Sequence, residues 1–362
     1  MTGDALDEAW DAAVAAAGVV GWRRRRSPAQ ELAALARGAA ELGVDTWDGY
    51  GEKGAVARLE AEVAELLGKP SAVLFPSGVA GQQAALRAWC ERTGSLRVAI
   101  PDLSHLLAHE ADGPRLLHGF RFEHLTTGPV TPTAADLVAL GPGLGAALVE
   151  LPLRDAGCLL PSWDDLAALS AAARASDTPL HADGARLWES QPFYDRPLTE
   201  LTALVDSVYV SLYKGLGGLA GALVAGPADL ADELRTWRRR LGGTLYRLTP
   251  YAVGGLVGLR DELPRMPAYV AWARELAAAL VERGLRVSPE PPHTNTFLVH
   301  VEGGEADLKH RLTAIVAREG VVPCWPFRAA GVPGWCVAEV AVHGAALEHA
   351  PDDVADWFAE LV

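Results

Sequence analysis

Short apolar runs alternate with helical patterns through the first two thirds of the chain. Between the runs, AVARLEAEVAELLG and VAGQQAALRAWCERTG place apolar residues at helical spacing, and Pro161 and Ser162 mark the start of another helix. Strands that alternate with helices predict an α/β fold with a mainly parallel sheet. The runs with the length and composition of buried strands are SAVLFPSG, LRVAIPD, GAALVELPL, PLHADGA, SVYVSLY and GALVAG.

The pattern changes after about residue 250. The long helical tract YVAWARELAAALVERG is followed by a strand-like segment, a further helix near LKHRLTAIVAREG, and short strands near VVPCWPF and GWCVAEVAV. This order is typical of a modest α+β unit. We therefore predict an N-terminal helical segment at residues 1–44, a large domain at 45–250 and a small C-terminal α+β domain at 251–362. The small domain is the candidate packing partner of the first helix.

Composition and charge restrict the classes of function. Half of the 362 residues are hydrophobic and 22% are charged, which is ordinary for a compact globular protein. The formal net charge of −14 argues against a nucleic-acid-binding surface, which needs a cationic stripe along the phosphate backbone. The one strong basic cluster, at residues 23–26, precedes a helix predicted from Pro28. We interpret this cluster as a solvated patch, with an anion or partner site as the alternative.

Cysteine spacing and hydropathy predict the compartment. Cys90, Cys158, Cys324 and Cys336 are widely spaced or lie in apolar contexts, which is typical of buried free thiols in a reducing compartment. No run reaches the roughly 18 uninterrupted apolar residues of a membrane helix. The N-terminal sequence carries acidic side chains where a signal peptide has basic ones. We expect a cytoplasmic protein that contacts no membrane.

A lysine stands at the exit of the predicted strand SVYVSLY, directly before the glycine-rich stretch GLGG. Many lysines in such positions only extend their charge to the surface. Here the glycines let the backbone approach a ligand closely and leave the amine unobstructed. Desolvation would lower the pKa of the Lys214 amine and favour the neutral nucleophile that a Schiff base requires.

Two further strand ends carry complementary groups. Asp183 ends the predicted strand PLHADGA, whereas Ser77 and Gly78 form a turn that opens a helix, whose free N–H groups suit an anion. Asp183 could instead cap a helix, but ligands of an α/β sheet bind at the carboxyl ends of its strands. The turn, Asp183 and Lys214 would serve a phosphate, a cationic ring nitrogen and an aldehyde respectively. Pyridoxal phosphate (PLP) has all three groups.

Four segments resemble the threonine aldolase and β-eliminating lyase group of fold type I PLP enzymes. They are DTWDGYGEKGAVARLEAEVAELLGKPSAVLFPSGVAGQQAAL, PDLSHLLAHEADG, HADGARLWES and SVYVSLYKGLGGLAGALVAG, and the match covers roughly residues 45–260. The joint occurrence of DGAR and the strand-end lysine is its specific feature. The resemblance implies an aspartate aminotransferase-like large domain with a mainly parallel sheet, a smaller α+β domain, and PLP as the cofactor.

The resemblance also assigns roles to residues. Lys214 matches the lysine that binds PLP covalently as a Schiff base, and Asp183 matches the aspartate that pairs with the pyridine nitrogen. His105 matches a histidine that stacks on the cofactor ring, although it could also be a satisfied core histidine. The turn that cradles the phosphate matches Ser77, Gly78 and Val79.

Three further positions complete the implied site. Arg186 matches an arginine that contacts the substrate carboxylate, for which a planar fork of donors is suited; a structural salt bridge is the alternative. Arg239 falls where the family has a basic residue near the cofactor phosphate, and either neighbouring arginine could take that role. Tyr50 matches a tyrosine that reaches the substrate site across a dimer interface. A homodimer or homotetramer with shared active sites is therefore implied.

The chain also departs from the family pattern. Glu339 occupies the position of the family's second arginine for the substrate carboxylate, and Arg328 is a candidate substitute. The aspartate- and serine-bearing segment with which family members open is not recognisable here. Where the aldolases carry a histidine that handles the β-hydroxyl proton, this chain has Leu153 or Arg154. Tyr213 precedes the lysine where serine is frequent. These changes leave the natural aldehyde open.

The residues and the resemblance together predict a PLP-dependent aldolase that cleaves or forms the Cα–Cβ bond of a β-hydroxy-α-amino acid, giving glycine and an aldehyde. His105 or a bound water is the candidate base for the hydroxyl proton. One alternative is a β-eliminating lyase or racemase, in which the Cα–H bond breaks and Lys214 is the base. Another is a catalytically inactive relative that only binds ligands. We expect small amino acid and aldehyde substrates, and neither nucleic acid nor a metal ion.

Overall fold

The computed structural model describes residues 3–362 and divides the chain into two compact units. One unit combines the described part of Met1–Glu31 with Arg265–Val362, and the other is Leu32–Pro264. Arg260 pairs with Glu41 at 3.0 Å inside the larger unit. The predicted boundaries at residues 44 and 250 therefore fall within that unit.

Helices and strands are numbered in chain order. The helices are α1 (Gly3–Ala16), α2 (Pro28–Glu41), α3 (Gly54–Leu66), α4 (Gly78–Thr93), α5 (His105–Ala108), α6 (Gly113–His118), α7 (Ala134–Ala139), α8 (Trp163–Ala175), α9 (Leu187–Tyr194), α10 (Leu198–Thr202), α11 (Ala228–Arg240), α12 (Thr249–Asp261), α13 (Met266–Glu282), α14 (Glu305–Glu319) and α15 (Pro351–Ala359). The strands are β1 (Val19–Val20), β2 (Arg23–Arg24), β3 (Ser71–Phe75), β4 (Arg97–Ile100), β5 (Arg121–His124), β6 (Ala146–Glu150), β7 (Leu180–Gly184), β8 (Ser207–Ser211), β9 (Ala222–Gly226), β10 (Arg286–Ser288), β11 (Thr296–Glu302), β12 (Val321–Val322), β13 (Arg328–Ala329) and β14 (Trp335–Ala341). Short 3₁₀ turns occupy Arg154–Ala156, Leu263–Arg265 and Ala346–Glu348.

A seven-stranded sheet forms the centre of the larger unit, in the order β3-β9-β8-β7-β6-β4-β5. Only β9 runs against its neighbours, so the sheet is mainly parallel. The predicted α/β class is confirmed, and all six predicted strands are present. The sequence analysis missed β5, because RFEH is short, polar and only partly buried at the edge of the sheet.

The strands β6, β7 and β8 are neighbours in the middle of the sheet. Every residue of these three strands is buried, as expected for parallel strands covered on both faces. Helix α4 covers one face with small and apolar side chains, and its Gly81 lets it approach β9 closely. A Cβ at Gly81 would lie 3.2 Å from Val224. The carboxyl ends of β6, β7 and β8 are therefore held side by side at one edge.

Two predicted helix starts are confirmed by their caps. The Ser162 hydroxyl accepts a hydrogen bond from the Asp165 N–H at 3.1 Å, directly before α8. The Ser27 hydroxyl accepts one from the Gln30 N–H at 3.3 Å at the start of α2. Each cap satisfies a helix N–H group that has no partner within the helix.

The smaller unit contains two sheets. One is antiparallel, in the order β10-β11-β14-β13, and the other has the order β12-β1-β2. The basic cluster at residues 23–26 belongs to this unit and is not a bare cationic patch. Arg24 pairs with Glu348, and Arg26 lies 3.6 Å from Glu31.

Residues 3–362 were also searched for membrane spans, disulfides and metal groups. No helix in this range combines the length and apolar character needed to cross a membrane. The four cysteines are buried free thiols, as predicted. The same residues contain no cluster of three or more His, Cys, Asp or Glu side chains that could hold a metal ion.

Asp48 ties the loop before α3 to the start of α12. Its carboxylate accepts hydrogen bonds from the Gly51, Leu248 and Thr249 N–H groups at 2.8–2.9 Å, and from the Thr249 hydroxyl at 2.6 Å. Burial alone would raise the pKa of Asp48. The hydroxyl and the three N–H groups outweigh burial and hold this pKa below its usual value. The ionised carboxylate therefore stabilises the fold.

Asp48→Asn is expected to lower the free energy of unfolding at neutral pH by about 1–3 kcal/mol, because an amide cannot accept from all four donors. A depressed native pKa contributes stability above the unfolded value of about 3.9 and loses it as the pH falls through the native value. The difference from wild type should therefore shrink between pH 5 and about pH 3, as measured by urea unfolding. The exposed Asp45→Asn is the control. A difference that stays constant across this pH range would contradict the role of the ionised carboxylate.

Candidate active site

A cleft with a cavity volume of about 210 Å³, partly open to solvent, lies in the larger unit at the carboxyl ends of β6, β7 and β8 and the N-terminus of α4. This is the edge at which parallel α/β sheets bind their ligands. Seven of the nine residues assigned by sequence line the cleft, namely Ser77, Gly78, Val79, His105, Asp183, Arg186 and Lys214. The other two, Tyr50 and Arg239, line a separate pocket.

Lys214 follows β8 and enters the cleft partly buried. The chain turns closely past α9 at this point, since a Cβ on Gly215 would lie 2.4 Å from Oε1 of Glu189. Burial and then the charge of Arg186 lower the pKa of the Lys214 amine, while the Asp183 carboxylate opposes that shift. A lowered pKa increases the neutral fraction of the amine, which is the form that attacks a carbonyl.

Asp183 ends β7 and is almost fully buried. Its Oδ1 accepts a hydrogen bond from the Ala185 N–H at 3.0 Å. Glu150, at the end of β6, pairs with Asp183 in the sheet register. Burial raises the pKa of both carboxyls, the neighbouring Asp183 charge raises that of Glu150 further, and Lys214 opposes the rise at Asp183. A cation placed against Asp183 would therefore be stabilised.

His105 begins α5 at the wall of the cleft. Its main-chain N–H donates to Oε2 of Glu150 at 3.1 Å. Its Nδ1 lies 3.4 Å from Oε1 of Glu110, and Glu110 also accepts from Gln83 at 2.8 Å. Two buried carboxylates thus fix the position and the ring orientation of His105.

Gly78 opens α4 with a very close contact. A Cβ at this position would lie 2.2 Å from the Tyr209 hydroxyl oxygen, so only glycine fits the observed backbone. Ser77 is the N-cap residue, and its side chain makes no capping hydrogen bond. The first N–H groups of α4 and the Ser77 hydroxyl therefore face the cleft as donors for an anion.

A buried relay beneath the cleft orients Gln82, which the sequence analysis missed. The Trp89 indole can only donate, and it does so to the Ser207 hydroxyl at 2.8 Å. Oε1 of Gln82 lies 2.7 Å from Nε2 of His181 and accepts its proton, so Nδ1 of the neutral ring accepts from the Ser207 hydroxyl, also at 2.7 Å. Burial lowers the pKa of His181 to about 3, so the ring stays neutral. The Gln82 amide nitrogen is left to face the cleft as a fixed donor.

Tyr50 and Arg239 line the second pocket together with Glu52 and Thr244. The structure thus does not bring them to the Lys214 cleft of the same chain. The Tyr50 ring is 57% exposed. Its expected role requires a second copy of the chain and stays a prediction, as does the role of Arg239. The neighbouring Arg238 is instead buried and donates to the Leu74 carbonyl at 2.8 Å.

The residues that depart from the family pattern lie in different places relative to the cleft. Leu153 is 1% exposed and does not line the cleft, whereas Arg154 and Tyr213 do. Glu339 lies on β14 opposite Leu298, in the smaller unit. The expected effects of Glu339 and Arg328 on binding of the substrate carboxylate stay predictions.

Sequence reasoning also missed Glu110 and Glu150 as members of the cleft wall. Glu150 carried the same signal that identified Asp183, namely a carboxylate at the end of an apolar strand. Glu110 carried no such signal, because it follows α5 in an irregular segment. Only the packing of that segment brings Glu110 to His105.

Comparisons with known proteins identify the family. The sequence profile described as Beta-eliminating lyase matches residues 27–303, more than half of the chain. A solved Listeria monocytogenes EGD-E protein assigned as an L-allo-threonine aldolase is 33% identical, with a TM-score of 0.91 over 98% of this chain and 99% of that one. An Exiguobacterium protein assigned as an aromatic amino acid beta-eliminating lyase/threonine aldolase is 32% identical, with a TM-score of 0.88 over 98% and 99%. Low-specificity L-threonine aldolase 1 of Arabidopsis thaliana is 26% identical over 278 residues, which are 73% of this chain and 77% of that protein.

These similarities confirm the resemblance found in the sequence. They also confirm the fold type I class, PLP as the cofactor and the lyase class of the enzyme. The chain therefore belongs to the beta-eliminating lyase family, within its threonine aldolase group.

Proposed function

We propose that this enzyme cleaves the Cα–Cβ bond of a β-hydroxy-α-amino acid and releases glycine and an aldehyde. The relatives named as threonine aldolases support this reaction. The observation that carries the proposal is the placement of Lys214 and Asp183 at neighbouring strand ends of one cleft.

The residues of the cleft fit PLP. The Ser77 hydroxyl and the N–H groups from Gly78 onward would hold its phosphate at the N-terminus of α4. Asp183 would hold a proton on its ring nitrogen, because the buried carboxylate lacks a full counter-charge. Lys214 would hold its aldehyde carbon. Bound in this way, PLP supplies an electron sink for the pair of electrons left at Cα.

The substrate would be oriented by the cationic side of the cleft. Arg186 follows Asp183 by three residues and offers a planar fork of donors that suits a carboxylate. When it is not attached to the cofactor, the Lys214 amine would be available to move a proton at Cα. Its lowered pKa favours this role.

The side chain of the substrate would meet Tyr213 and Arg154, which line the cleft. Both positions differ from the family pattern. We therefore propose that the natural aldehyde is not restricted to acetaldehyde, the product from threonine.

The enzyme is also proposed to be a cytoplasmic homo-oligomer. The exposed rings of Tyr50 and Tyr246 lie 5.3 Å apart beside the second pocket. A second copy that covered these rings would place Tyr50 near a neighbouring active site, the role implied by the resemblance.

Product analysis tests the reaction. With L-threonine, L-allo-threonine and a panel of longer β-hydroxy amino acids, we expect glycine and the matching aldehyde in equal amounts. Lys214→Ala should abolish both products, because the cofactor loses its covalent attachment. Pyruvate with ammonia, or an inverted enantiomer, would instead support β-elimination or racemisation.

Gly78→Ala is expected to weaken PLP binding by about tenfold to a hundredfold, because the added methyl group forces Tyr209 and the α4 turn apart. The measurement is titration of the apoprotein with PLP, followed at about 420 nm. Val79→Ala is the matched control, since it shortens an exposed side chain in the same turn. Equal affinities of the two variants would contradict the assignment of this turn to the phosphate.

Asp183→Asn is expected to lower kcat by about 10²–10³, because an amide does not stabilise a positive charge on the ring nitrogen. The exposed Asp164→Asn serves as the control. If Asp183→Asn kept the wild-type kcat and cofactor absorption, Asp183 would not be the partner of the ring nitrogen.

A further inference from the structure

Breaking the Cα–Cβ bond of a β-hydroxy amino acid requires an acceptor for the hydroxyl proton. The resemblance places the family's acceptor histidine at Leu153 or Arg154 of this chain, and Leu153 is apolar, 1% exposed and absent from the cleft wall. The neighbouring Arg154 does line the cleft, but a guanidinium stays protonated and cannot accept a proton. The base is therefore His105, a bound water or a side chain at another position.

A second imidazole lies beside the cleft, where no role has been assigned to it. His109 caps the C-terminal end of α5, and its Nε2 lies 2.8 Å from Oδ2 of Asp155. A carboxylate at this distance accepts the Nε2 proton, which leaves Nδ1 as the basic nitrogen. The described residues provide no hydrogen-bond partner for Nδ1. The pair has the arrangement of a general base oriented by a carboxylate.

The His109–Asp155 pair contacts the cleft wall from both sides. The His109 ring lies 5.0 Å from the ring of His105, centroid to centroid. On the other side, Nη1 of Arg154 donates to Oδ1 of Asp155 at 3.2 Å. Both His105 and Arg154 line the cleft. The pair therefore lies directly behind two residues of the cleft wall, where a water in the cleft would connect it to a substrate hydroxyl.

The two glutamates in the cleft wall, which could also accept a proton, already accept hydrogen bonds that hold the wall together. Glu150 accepts the His105 and Arg154 main-chain N–H groups. Glu110 is bound by Gln83 and orients His105. His109 is 42% exposed in its side chain, so it can also return a proton to solvent between turnovers.

We propose that His109, oriented by Asp155, receives the β-hydroxyl proton in place of the family histidine for which this chain has Leu153 or Arg154; this inference rests on the proposed function. The O–H proton passes to Nδ1, and the O–H electron pair forms the second bond of the aldehyde carbonyl. The Cα–Cβ electron pair remains at Cα, where a returning proton completes glycine. His109 then releases its proton to water, so protons and electrons balance over the cycle.

The test compares His109→Ala with wild type in the PLP-loaded enzyme. We expect kcat for cleavage of L-allo-threonine or L-threonine to fall by about 10²–10⁴. Glycine requires no hydroxyl proton transfer, so its Kd, from the change in cofactor absorption, and its Cα–H exchange in D₂O should stay within about threefold of wild type. Added imidazole should raise the cleavage rate of His109→Ala at least about tenfold, because it fills the position of the missing ring.

Matched variants separate a base from a structural residue. His124→Ala removes an exposed imidazole from β5 and should change neither the rate nor the response to imidazole. His109→Phe keeps a ring against His105 but should lose cleavage without loss of glycine binding. Asp155 is a positioning residue, and Asp155→Asn should lower kcat by about tenfold or more with KM nearly unchanged.

Three outcomes would overturn the inference. His109→Ala could retain the wild-type cleavage rate, it could lose cleavage and glycine exchange equally, or imidazole could fail to restore it. The proposed function fails by a different result, namely wild-type enzyme that forms no aldehyde from any β-hydroxy amino acid. The two failures are therefore distinguishable.

Discussion

The site depends on two carboxyl groups buried side by side at the ends of neighbouring parallel strands. Asp183 and Glu150 are adjacent in the register of β7 and β6 and almost fully shielded from water. An ionised carboxylate is costly in such a place unless a cation or donors compensate it. The fold supplies one donor from Ala185 and the amine of Lys214 nearby. A ring nitrogen that carries a proton would complete the compensation, which ties the geometry of the strand ends to the cofactor.

The loops beside this edge of the sheet can differ in sequence while the residues that would hold the cofactor stay in place. The Glu150 carboxylate anchors the main chain at both His105 and Arg154, so the two sides of the cleft mouth keep their positions. Between them, Leu153 is buried and His109 is bound to Asp155. The proposed transfer of the base role to His109 would leave these strands, and the residues at their ends, in place.

Local patterns predicted much of this structure from the sequence. The six strands were recognisable because buried parallel strands are continuous apolar runs, and Ser162 was recognisable as a cap. The residues of the cleft were predicted where they end such strands or open a helix. Long-range packing was not visible in the sequence. The larger unit runs from Leu32 to Pro264 and includes the pairing of Arg260 with Glu41. The Gln82 relay joins three separate elements. The contact of His109 with Asp155 also spans 46 residues, which no local pattern shows.

The covalent attachment of PLP is the most direct test of the account. The chain has four lysines, at positions 53, 69, 214 and 309. Lys69 donates to the Val205 carbonyl at 2.6 Å and Lys309 pairs with Asp7, so neither lies in the cleft. Borohydride reduction of the PLP-loaded enzyme, followed by peptide mass spectrometry, should place the modification on Lys214. Attachment at another lysine, or at none, would contradict the account.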